Sequence, residues 1–299
     1  MRRWLIVVSV VSVVFAGILV HPADSAAREP ETITGGITTY TVAPGETLTS
    51  IASRFGVDPS TIASDNRLAT GEPLEPGRIL LIDNRHIVPA TAVAGEIVVN
   101  VPQRMLFYRE EERVFAAPVA VGRPTWQTPQ GAFTVVRKEE DPAWHVPASI
   151  RAESARKGQG LPPVVPPGPR NPLGQFWIGL SLGSIGLHGT PVPLSIYRTV
   201  THGCIRLQGD RIEDLYGRVD IGTRGRIVYE PVLLTSDGGD VYLEVHADVY
   251  RRAAMSALQR AHELAERLGL AHRIDWTLAA AEIERRAGIA RRVSLARSE

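Results

Sequence analysis

Only one cysteine, Cys204, occurs among the 299 residues of this chain, so no disulfide can form within it. The chain also lacks an excess of charge, since 33 lysines and arginines nearly balance 32 aspartates and glutamates. Without a long basic run, nucleic-acid binding through attraction to phosphates is not indicated. The composition, 44% hydrophobic and 22% charged, is ordinary for a globular protein, and the length suits two domains or one domain with modules.

Long apolar runs are missing everywhere except at the N-terminus. Arg2 and Arg3 precede an almost wholly apolar stretch from Trp4 to Val20, and small residues before Ala27 offer a cleavage site. This pattern predicts an export signal over residues 1–27, and the alternative is an uncleaved membrane anchor. Export matters for the single cysteine, because a lone thiol in an oxidising compartment is a liability unless it is buried or has a chemical task.

A small βααβ unit is predicted at residues 40–83, after a polar linker at residues 28–39. Its signals are alternation around Tyr40, a helix cap at Thr47, a C-cap glycine at Gly56, the helix start Asp58-Pro59, and a buried-looking strand from Ile79 to Ile82.

The remaining chain divides by its residue pattern. From residue 95 to 231, short apolar or alternating stretches separated by glycine and proline predict a β-rich domain. Within it, the proline-rich segment from Leu161 to Pro172 should form a semi-rigid surface loop, because proline disfavours helix and central strand. Residues 232–299 are predicted to be helical, with Asp275 capping the second helix. The face of the first helix would consist of Met255, Leu258, Ala261, Ala265 and Leu268.

The chemically informative segment is Thr201-His202-Gly203-Cys204-Ile205-Arg206, and a second histidine, His188, lies 16 positions before the cysteine. A catalytic cysteine needs a base within hydrogen-bond reach and backbone N–H donors for the oxyanion of an acyl intermediate. Gly203 permits a tight turn that can direct such donors inward. Taken alone, these residues leave three interpretations open: a Cys/His nucleophile pair, a His₂Cys zinc site, and an inert buried thiol beside structural histidines.

Two resemblances to known families bear on these alternatives. Residues 40–83 resemble the LysM family of peptidoglycan-binding modules, from Tyr-Thr-Val-Ala-Pro-Gly-Glu-Thr-Leu at the start to Leu-Glu-Pro-Gly-Arg-Ile-Leu-Leu-Ile at the end. Residues 95–231 resemble the L,D-transpeptidase family with the YkuD-type catalytic domain, in its ErfK/YbiS-like periplasmic branch. That match rests on His-Gly-Thr at 188–190, Thr-His-Gly-Cys-Ile-Arg-Leu at 201–207 and Thr-Pro-Gln-Gly-Ala-Phe at 128–133.

The second resemblance implies a role for each motif residue. Cys204 would be the nucleophile and His188 its base, with the Gly189 carbonyl orienting the ring. His202 and the backbone of Gly203 and Cys204 would shape the oxyanion site, and Arg206 and Thr201 would contact the substrate. Tyr197 departs from the family pattern, in which small residues are usual at this position.

The expected fold is α+β and multidomain: a βααβ LysM module, a β-rich, sandwich-like catalytic domain and a helical C-terminal extension. The family acts on the tetrapeptide stem of peptidoglycan, through a thioester on the cysteine that an amine of a second stem resolves into a 3→3 cross-link. A lipoprotein lysine, a free D-amino acid or water are other acceptors, and water would give an L,D-carboxypeptidase. The implied partners are peptidoglycan glycan, its stem peptides and a wall-linked lipoprotein. Acyl transfer of this kind needs no metal or organic cofactor.

Two rival functions come from other classes, a non-catalytic LysM wall protein and a zinc hydrolase. A tethered module raises the local concentration of its target, so residues 28–90 are expected to be dispensable for activity on soluble stems.

Overall fold

The computed structural model describes residues 31–69 and 72–296. The predicted export signal at residues 1–27 lies outside the described residues. Within those residues, no helix has both the length and the apolar character needed to cross a bilayer. The described residues form an N-terminal unit, a central β-rich domain and a C-terminal unit, which pack against one another.

Residues 40–83 have the predicted order of strand, helix, helix and strand, but the predicted linker at residues 28–39 contains one further strand and the start of the first predicted one. Thr47 caps the first helix by accepting a hydrogen bond from the Ser50 N–H at 3.2 Å, and Gly56 ends it in the left-handed conformation with φ 71°. Ile79 and Leu81, predicted to be buried, are exposed because only one face of this two-stranded sheet is covered. The elements are β1 (Ile33–Thr34), β2 (Ile37–Thr41), α1 (Leu48–Phe55), α2 (Pro59–Asp65), β3 (Ile79–Asp83) and β4 (His86–Ile87).

The central domain is β-rich, as predicted. Its strands are β5 (Glu96–Asn100), β6 (Met105–Glu110), β7 (Arg113–Pro118), β8 (Val121–Gly122), β9 (Gly131–Glu140), β10 (Trp144–His145), β11 (Val164–Val165), β12 (Phe176–Leu180), β13 (Gly186–His188), β14 (Thr199–Thr201), β15 (Ile205–Arg206) and β16 (Arg224–Val228). Its helices are α3 (Ala148–Arg156) and α4 (Gly209–Arg218).

The main sheet of this domain curls around a single apolar core. The strands run in the order β15-β13-β12-β9-β16-β5-β6-β7, and alternate residues of each strand point into that core, where Ile212 and Leu215 of α4 join them. Ala120, just after β7, exchanges two backbone hydrogen bonds of 2.9 and 3.0 Å with Arg206 in β15. These bonds connect the two ends of the sheet, so the curled sheet encloses its core in the manner of a sandwich.

The segment at residues 141–175, called the insertion below, is more ordered than its sequence indicated. The proline-rich part was predicted to be a loop, but β11 lies inside it and pairs with β10, and α3 lies between these strands. The pairing is possible because β11 consists of two valines, which supply the N–H groups that the surrounding prolines lack. Asn171 is buried and closes the insertion, since its side chain donates to the Pro142 carbonyl at 2.8 Å and accepts from the Leu173 N–H at 2.9 Å.

The C-terminal unit was predicted to be a helical extension; it has the two predicted helices but also three strands that the sequence did not predict. A turn at residues 238–239 between two apolar stretches is a hairpin signal, and it joins the two strands that begin the unit. In the first helix, Leu264 packs inward with Ala261, whereas Leu258 and Leu268 are exposed, so part of the predicted apolar face was misplaced. The elements are β17 (Val232–Asp237), β18 (Asp240–Val245), α5 (Ala257–Arg267), α6 (Trp276–Arg285), which Asp275 caps as predicted, and β19 (Arg291–Arg292).

The C-terminal unit contributes to the core of the N-terminal unit. Ala287 and Ile289 lie buried among the apolar residues of α1, α2 and β3, and Thr61 donates a hydrogen bond to the Ala287 carbonyl at 2.8 Å. An ion pair of 2.6 Å joins Arg291 to Asp65. Removal of residues 28–90 would therefore expose apolar surface of the C-terminal unit, so this segment is expected to stabilise the rest of the protein and not to be dispensable.

Tyr197, which departs from the family pattern, is buried where the three units meet. Its backbone is left-handed, with φ 60°, and its hydroxyl donates to the Gly288 carbonyl at 3.3 Å. The guanidinium of Arg104 lies 4.0 Å from the centre of its ring and pairs with Asp58 at 2.9 Å. The side chain thus ties the loop before the cysteine motif to both neighbouring units.

A second polar contact of the units centres on Glu244, whose side chain is fully buried. Its carboxylate accepts hydrogen bonds from Nδ1 of His86 at 2.8 Å, Nε2 of His246 at 2.7 Å, Nε2 of Gln103 at 2.9 Å and the Ile87 N–H. Burial acts to raise the pKa of Glu244, but the two histidines outweigh it and hold the pKa at about 2. The charged carboxylate therefore stabilises the junction of the units.

We expect Glu244→Ala to lower the free energy of unfolding by about 3–5 kcal/mol, because buried donors lose their acceptor. In the matched control, Glu110→Ala removes an exposed partner of Arg218 and should cost less than about 1 kcal/mol. Because the folded pKa of Glu244 is depressed, its contribution is present above the ordinary carboxylate pKa of 4.5 and is lost as the pH falls toward about 2. Urea unfolding at several pH values measures both variants, and equal effects of the two substitutions would contradict this account.

Candidate active site

Two short parallel strands set the candidate nucleophile beside its candidate base. In the pairing of β13 with β15, His188 lies opposite Arg206, and continuation of the register places Cys204 opposite Gly186. Because alternate residues of a strand point to the same side of the sheet, Cys204 and His188 share one face. Gly186 makes room for the Trp177 ring, since a Cβ atom at this position would lie only 2.4 Å from that ring.

His188 is buried, and its contacts fix the position of its proton. Nδ1 lies 2.6 Å from the Gly189 carbonyl oxygen, which can only accept, so Nδ1 carries the proton and Nε2 is left to act as a base. Burial and then the charge of Arg206 lower the pKa of His188 to about 4, although the carbonyls of Gly189 and Leu173 oppose the shift. The ring is therefore neutral near pH 7, and Trp177 stacks on it with 5.7 Å between ring centroids.

Cys204 is partly exposed, with Sγ 3.8 Å from the Ser184 carbonyl oxygen. Burial raises the pKa of the thiol, although the Gly186 backbone and the charge of Arg206 act to lower it. Near neutral pH the resting pair is thus a thiol and a neutral imidazole, and not a preformed thiolate–imidazolium pair.

Thr201 holds the turn that carries the cysteine. It is buried, and its hydroxyl donates to the Cys204 carbonyl at 2.6 Å and accepts from the Gly203 N–H at 3.1 Å. Gly203 has φ 111°, which side chains rarely tolerate, and a Cβ atom there would lie 3.1 Å from Ile185. The predicted substrate contact of Thr201 and the predicted oxyanion role of the Gly203 N–H stay predictions, and each would require these bonds to open or to be shared.

The turn is supported by a residue from the C-terminal unit. Thr128 donates to the Gly203 carbonyl at 2.9 Å and accepts from the Gly122 N–H at 2.8 Å. The hydroxyl of Tyr250 in turn donates to the Gly122 carbonyl at 2.6 Å and accepts from the Thr128 N–H at 3.1 Å. Thr128 belongs to the run that resembled the family, but Tyr250 lacks any local sequence signal, because its partners lie more than 100 positions earlier.

Arg206 lies close enough to influence both candidate reacting groups. Burial lowers the pKa of its guanidinium, and its Nε has no hydrogen-bond partner among the residues that the structure describes. That Nε is also buried, so its N–H could reach a substrate oxygen only if the side chain moved. The predicted substrate contact of Arg206 stays a prediction.

His202 contacts two segments that the sequence did not single out. Its Nε2 lies 3.0 Å from a carboxylate oxygen of Glu153 in α3 and 3.2 Å from Nη2 of Arg123. Trp126 packs edge-on against the ring, with 4.9 Å between centroids. The predicted part of His202 in an oxyanion site stays a prediction. Across residues 31–69 and 72–296, no group of three or more His, Cys, Asp or Glu side chains is placed to hold a metal ion.

A concave site lies on the N-terminal unit. A cavity of about 560 Å³ opens between the first turns of α1 and α2 and the chain before β3. Its lining combines hydroxyls, such as Thr49 and Ser60, with apolar side chains, such as Leu68 and Leu74. Hydroxyl groups beside apolar surface suit a sugar, which offers both.

Comparisons with known proteins match both the central domain and the N-terminal unit. Residues 94–232 match the family model of the YkuD L,D-transpeptidase catalytic domain, and residues 40–83 match that of the LysM domain. The probable L,D-transpeptidase ErfK/SrfK of Escherichia coli (strain K12) is 35% identical over 212 residues, which cover 69% of this chain and 67% of that protein. The putative L,D-transpeptidase YkuD of Bacillus licheniformis is 30% identical over 62% of this chain and 95% of its own length. Among solved structures, L,D-transpeptidase 3 from Mycobacterium tuberculosis is 16% identical, with a TM-score of 0.36 over 64% of this chain and 92% of that chain.

We expect the rate at which iodoacetamide alkylates Cys204 to rise about tenfold per pH unit between pH 6 and 8, because only the thiolate reacts and burial raises the thiol pKa. No plateau should appear between pH 5 and 7, since the low pKa of His188 keeps its ring neutral there. Intact-protein mass spectrometry measures the rate on this single cysteine. The urea-unfolded chain is the control and should react faster at neutral pH, and a rate that is flat from pH 5 to 7 would reveal a preformed ion pair.

Proposed function

This chain belongs to the L,D-transpeptidase family and carries a LysM domain, and from that premise we propose that it transfers peptidoglycan stem peptides through a thioester on Cys204. One observation carries the proposal: the parallel strands β13 and β15 set the thiol on the same face as a buried, neutral His188 whose proton lies on Nδ1. A neutral imidazole with a free Nε2 can take a proton from an attacking thiol, whereas an imidazolium cannot.

In the first half-reaction, Sγ of Cys204 attacks the carbonyl of the third stem residue, an L-configured diamino acid, while Nε2 of His188 takes the thiol proton. The bond to the terminal D-alanine breaks, and the imidazolium returns the proton to the departing amine. Because the pKa of His188 is low and that of the thiol is raised, proton transfer should accompany the attack and not precede it. His202 and the backbone N–H groups of Gly203 and Cys204 would bind the developing oxyanion, and Arg206 would contact the substrate.

In the second half-reaction, an amine attacks the thioester and releases the thiol. With the side-chain amine of a second stem the product is a 3→3 cross-link, and with a lipoprotein lysine it is a protein attached to the wall. Water in place of the amine would make the protein an L,D-carboxypeptidase. In this proposal Cys204, His188 and the turn would supply the nucleophile, the base and the oxyanion donors that the acyl transfer requires.

The N-terminal unit would bind the glycan of the same wall in its cavity of about 560 Å³. An exported protein of the periplasm would meet peptidoglycan there, and binding by the LysM domain would raise the local concentration of stems at the thiol. A non-catalytic wall protein would share this binding, but it would have no use for the paired thiol and imidazole.

We expect the wild-type chain, mixed with a disaccharide-tetrapeptide, to form one thioester adduct on Cys204 that has lost a D-alanine, and then to form cross-linked dimer. Cys204→Ala should form neither, because the attacking atom is gone, and His188→Ala should form the adduct at least about a hundredfold more slowly. Intact-protein mass spectrometry detects the adduct, and product masses separate dimer from hydrolysed tripeptide. Dimer formation by Cys204→Ala would refute the mechanism.

We expect Ser60→Glu to weaken sedimentation of the protein with intact sacculi, because the carboxylate enters the cavity of the N-terminal unit and meets a wall that is itself acidic. Thr38→Glu makes the same charge change at an exposed site on β2, outside the cavity, and should sediment like the wild type. Equal sedimentation of the two variants would show that this cavity does not bind the glycan.

A further inference from the structure

We propose that Glu153, in the helix of the insertion, is a positioning residue for His202 and thereby couples the insertion to acyl transfer; this inference rests on the function proposed above. Glu153 was not marked by the sequence motifs and belongs to α3, a helix that the sequence did not predict. Its effect on the reaction would pass through the ring of His202.

The carboxylate of Glu153 joins the insertion to the catalytic turn. One oxygen, Oε2, lies 2.5 Å from Nη2 of Arg123 and 3.0 Å from Nε2 of His202. The other, Oε1, accepts from Nζ of Lys157 at 2.6 Å. Arg123 is itself fixed to the turn, because its backbone N–H donates to the Thr201 carbonyl at 3.1 Å.

Glu153 is ionised at any pH at which the protein would act. Hydrogen bonds from Lys157, Arg123 and His202, in that order, lower the pKa of Glu153 to about 2. The group therefore remains a carboxylate, which accepts hydrogen bonds and cannot donate them.

This carboxylate determines which ring nitrogen of His202 bears a proton. Nε2 lies near two groups, Glu153 and Arg123, and Arg123 can only donate. If Nε2 carries a proton, it donates to Glu153 while Arg123 donates to the same carboxylate, so both donors have an acceptor and the Arg123–His202 contact is not a hydrogen bond. If Nε2 lacked the proton, Arg123 would be its donor, and Glu153 would lose one of its hydrogen bonds. The first arrangement places the proton on Nε2 and leaves Nδ1 available to other groups.

The ring is also held in orientation. Trp126 packs edge-on against one side of it, and the Glu153 carboxylate holds its Nε2 corner. A group two positions before the nucleophile that is fixed in both tautomer and plane can act on an oxyanion without reorganising during the reaction. Glu153 would therefore affect the step in which charge develops on a substrate oxygen, and it should leave the intrinsic reactivity of the thiol unchanged.

The experiment compares two reactions of Cys204 in the full-length chain. We expect Glu153→Ala to slow thioester formation with the disaccharide-tetrapeptide about tenfold, because a mispositioned group loses much of its effect on the transition state. Alkylation by iodoacetamide develops no oxyanion, so its rate should stay within about twofold of the wild type. Glu153→Gln keeps an acceptor oxygen and should recover part of the lost rate. Lys157→Ala, which removes a different partner of the same carboxylate, is the matched control and should leave both rates within about twofold.

A second readout reports on the ring directly. In protein labelled with ¹⁵N-histidine, the wild type and Lys157→Ala should show His202 protonated at Nε2, and Glu153→Ala should show a changed tautomer signal. The inference is overturned if that signal does not change, if Glu153→Ala forms the thioester at the wild-type rate, or if it loses alkylation and acylation in parallel, which would mean a merely structural role. If the wild type forms no thioester at all, the proposed function fails, and the ¹⁵N signal still decides whether Glu153 fixes the His202 tautomer.

Discussion

The parallel pairing of β13 with β15 is the interaction on which the candidate active site depends. Each strand is only two or three residues long, and an isolated pair of this size would not be stable in water. β15 is stabilised because Ala120 forms backbone hydrogen bonds with its other edge and thereby connects the two ends of the curled sheet. The contact between Ala120 and β15 therefore also fixes the position of the thiol. A change that broke this contact would also separate Cys204 from His188.

Around this pairing, the protein uses polar contacts from distant parts of the chain. Tyr250 of the C-terminal unit holds the segment that supports Gly203, and Glu153 of the insertion holds the ring of His202. The junction of the three units relies in the same way on a buried charge, with Glu244 bound by His86 and His246. Such groups are costly to bury unless they are fully paired, so they favour one arrangement of the units over others that bury similar apolar area.

The features that the sequence predicted correctly are those with a local sequence signal, such as a helix cap or a family motif. Thr47 and Gly56 cap α1 as expected, and the resemblances to the LysM and L,D-transpeptidase families were confirmed by the comparisons. Helix α3 was missed because only Ser154 in it is buried, so it has no apolar stripe for periodicity to detect. The hairpin of β17 and β18 was missed although its turn signal was present, because the helical pattern that follows it was extended over the whole segment. Trp177 and Tyr250 could not be found locally, since their roles arise from partners brought together by the fold.

The contribution of Ala287 and Ile289 to the N-terminal core has a consequence for how the chain folds. A βααβ unit of this length ordinarily makes local contacts and can fold quickly, while the rest of its chain is still being synthesised. Here its apolar core is completed by residues more than 200 positions later, as in the hydrogen bond from Thr61 to the Ala287 carbonyl. Closing so long a loop carries an entropic cost that the contact must overcome. The core of the N-terminal unit is therefore completed only after the much later segment that carries Ala287 and Ile289 has been synthesised.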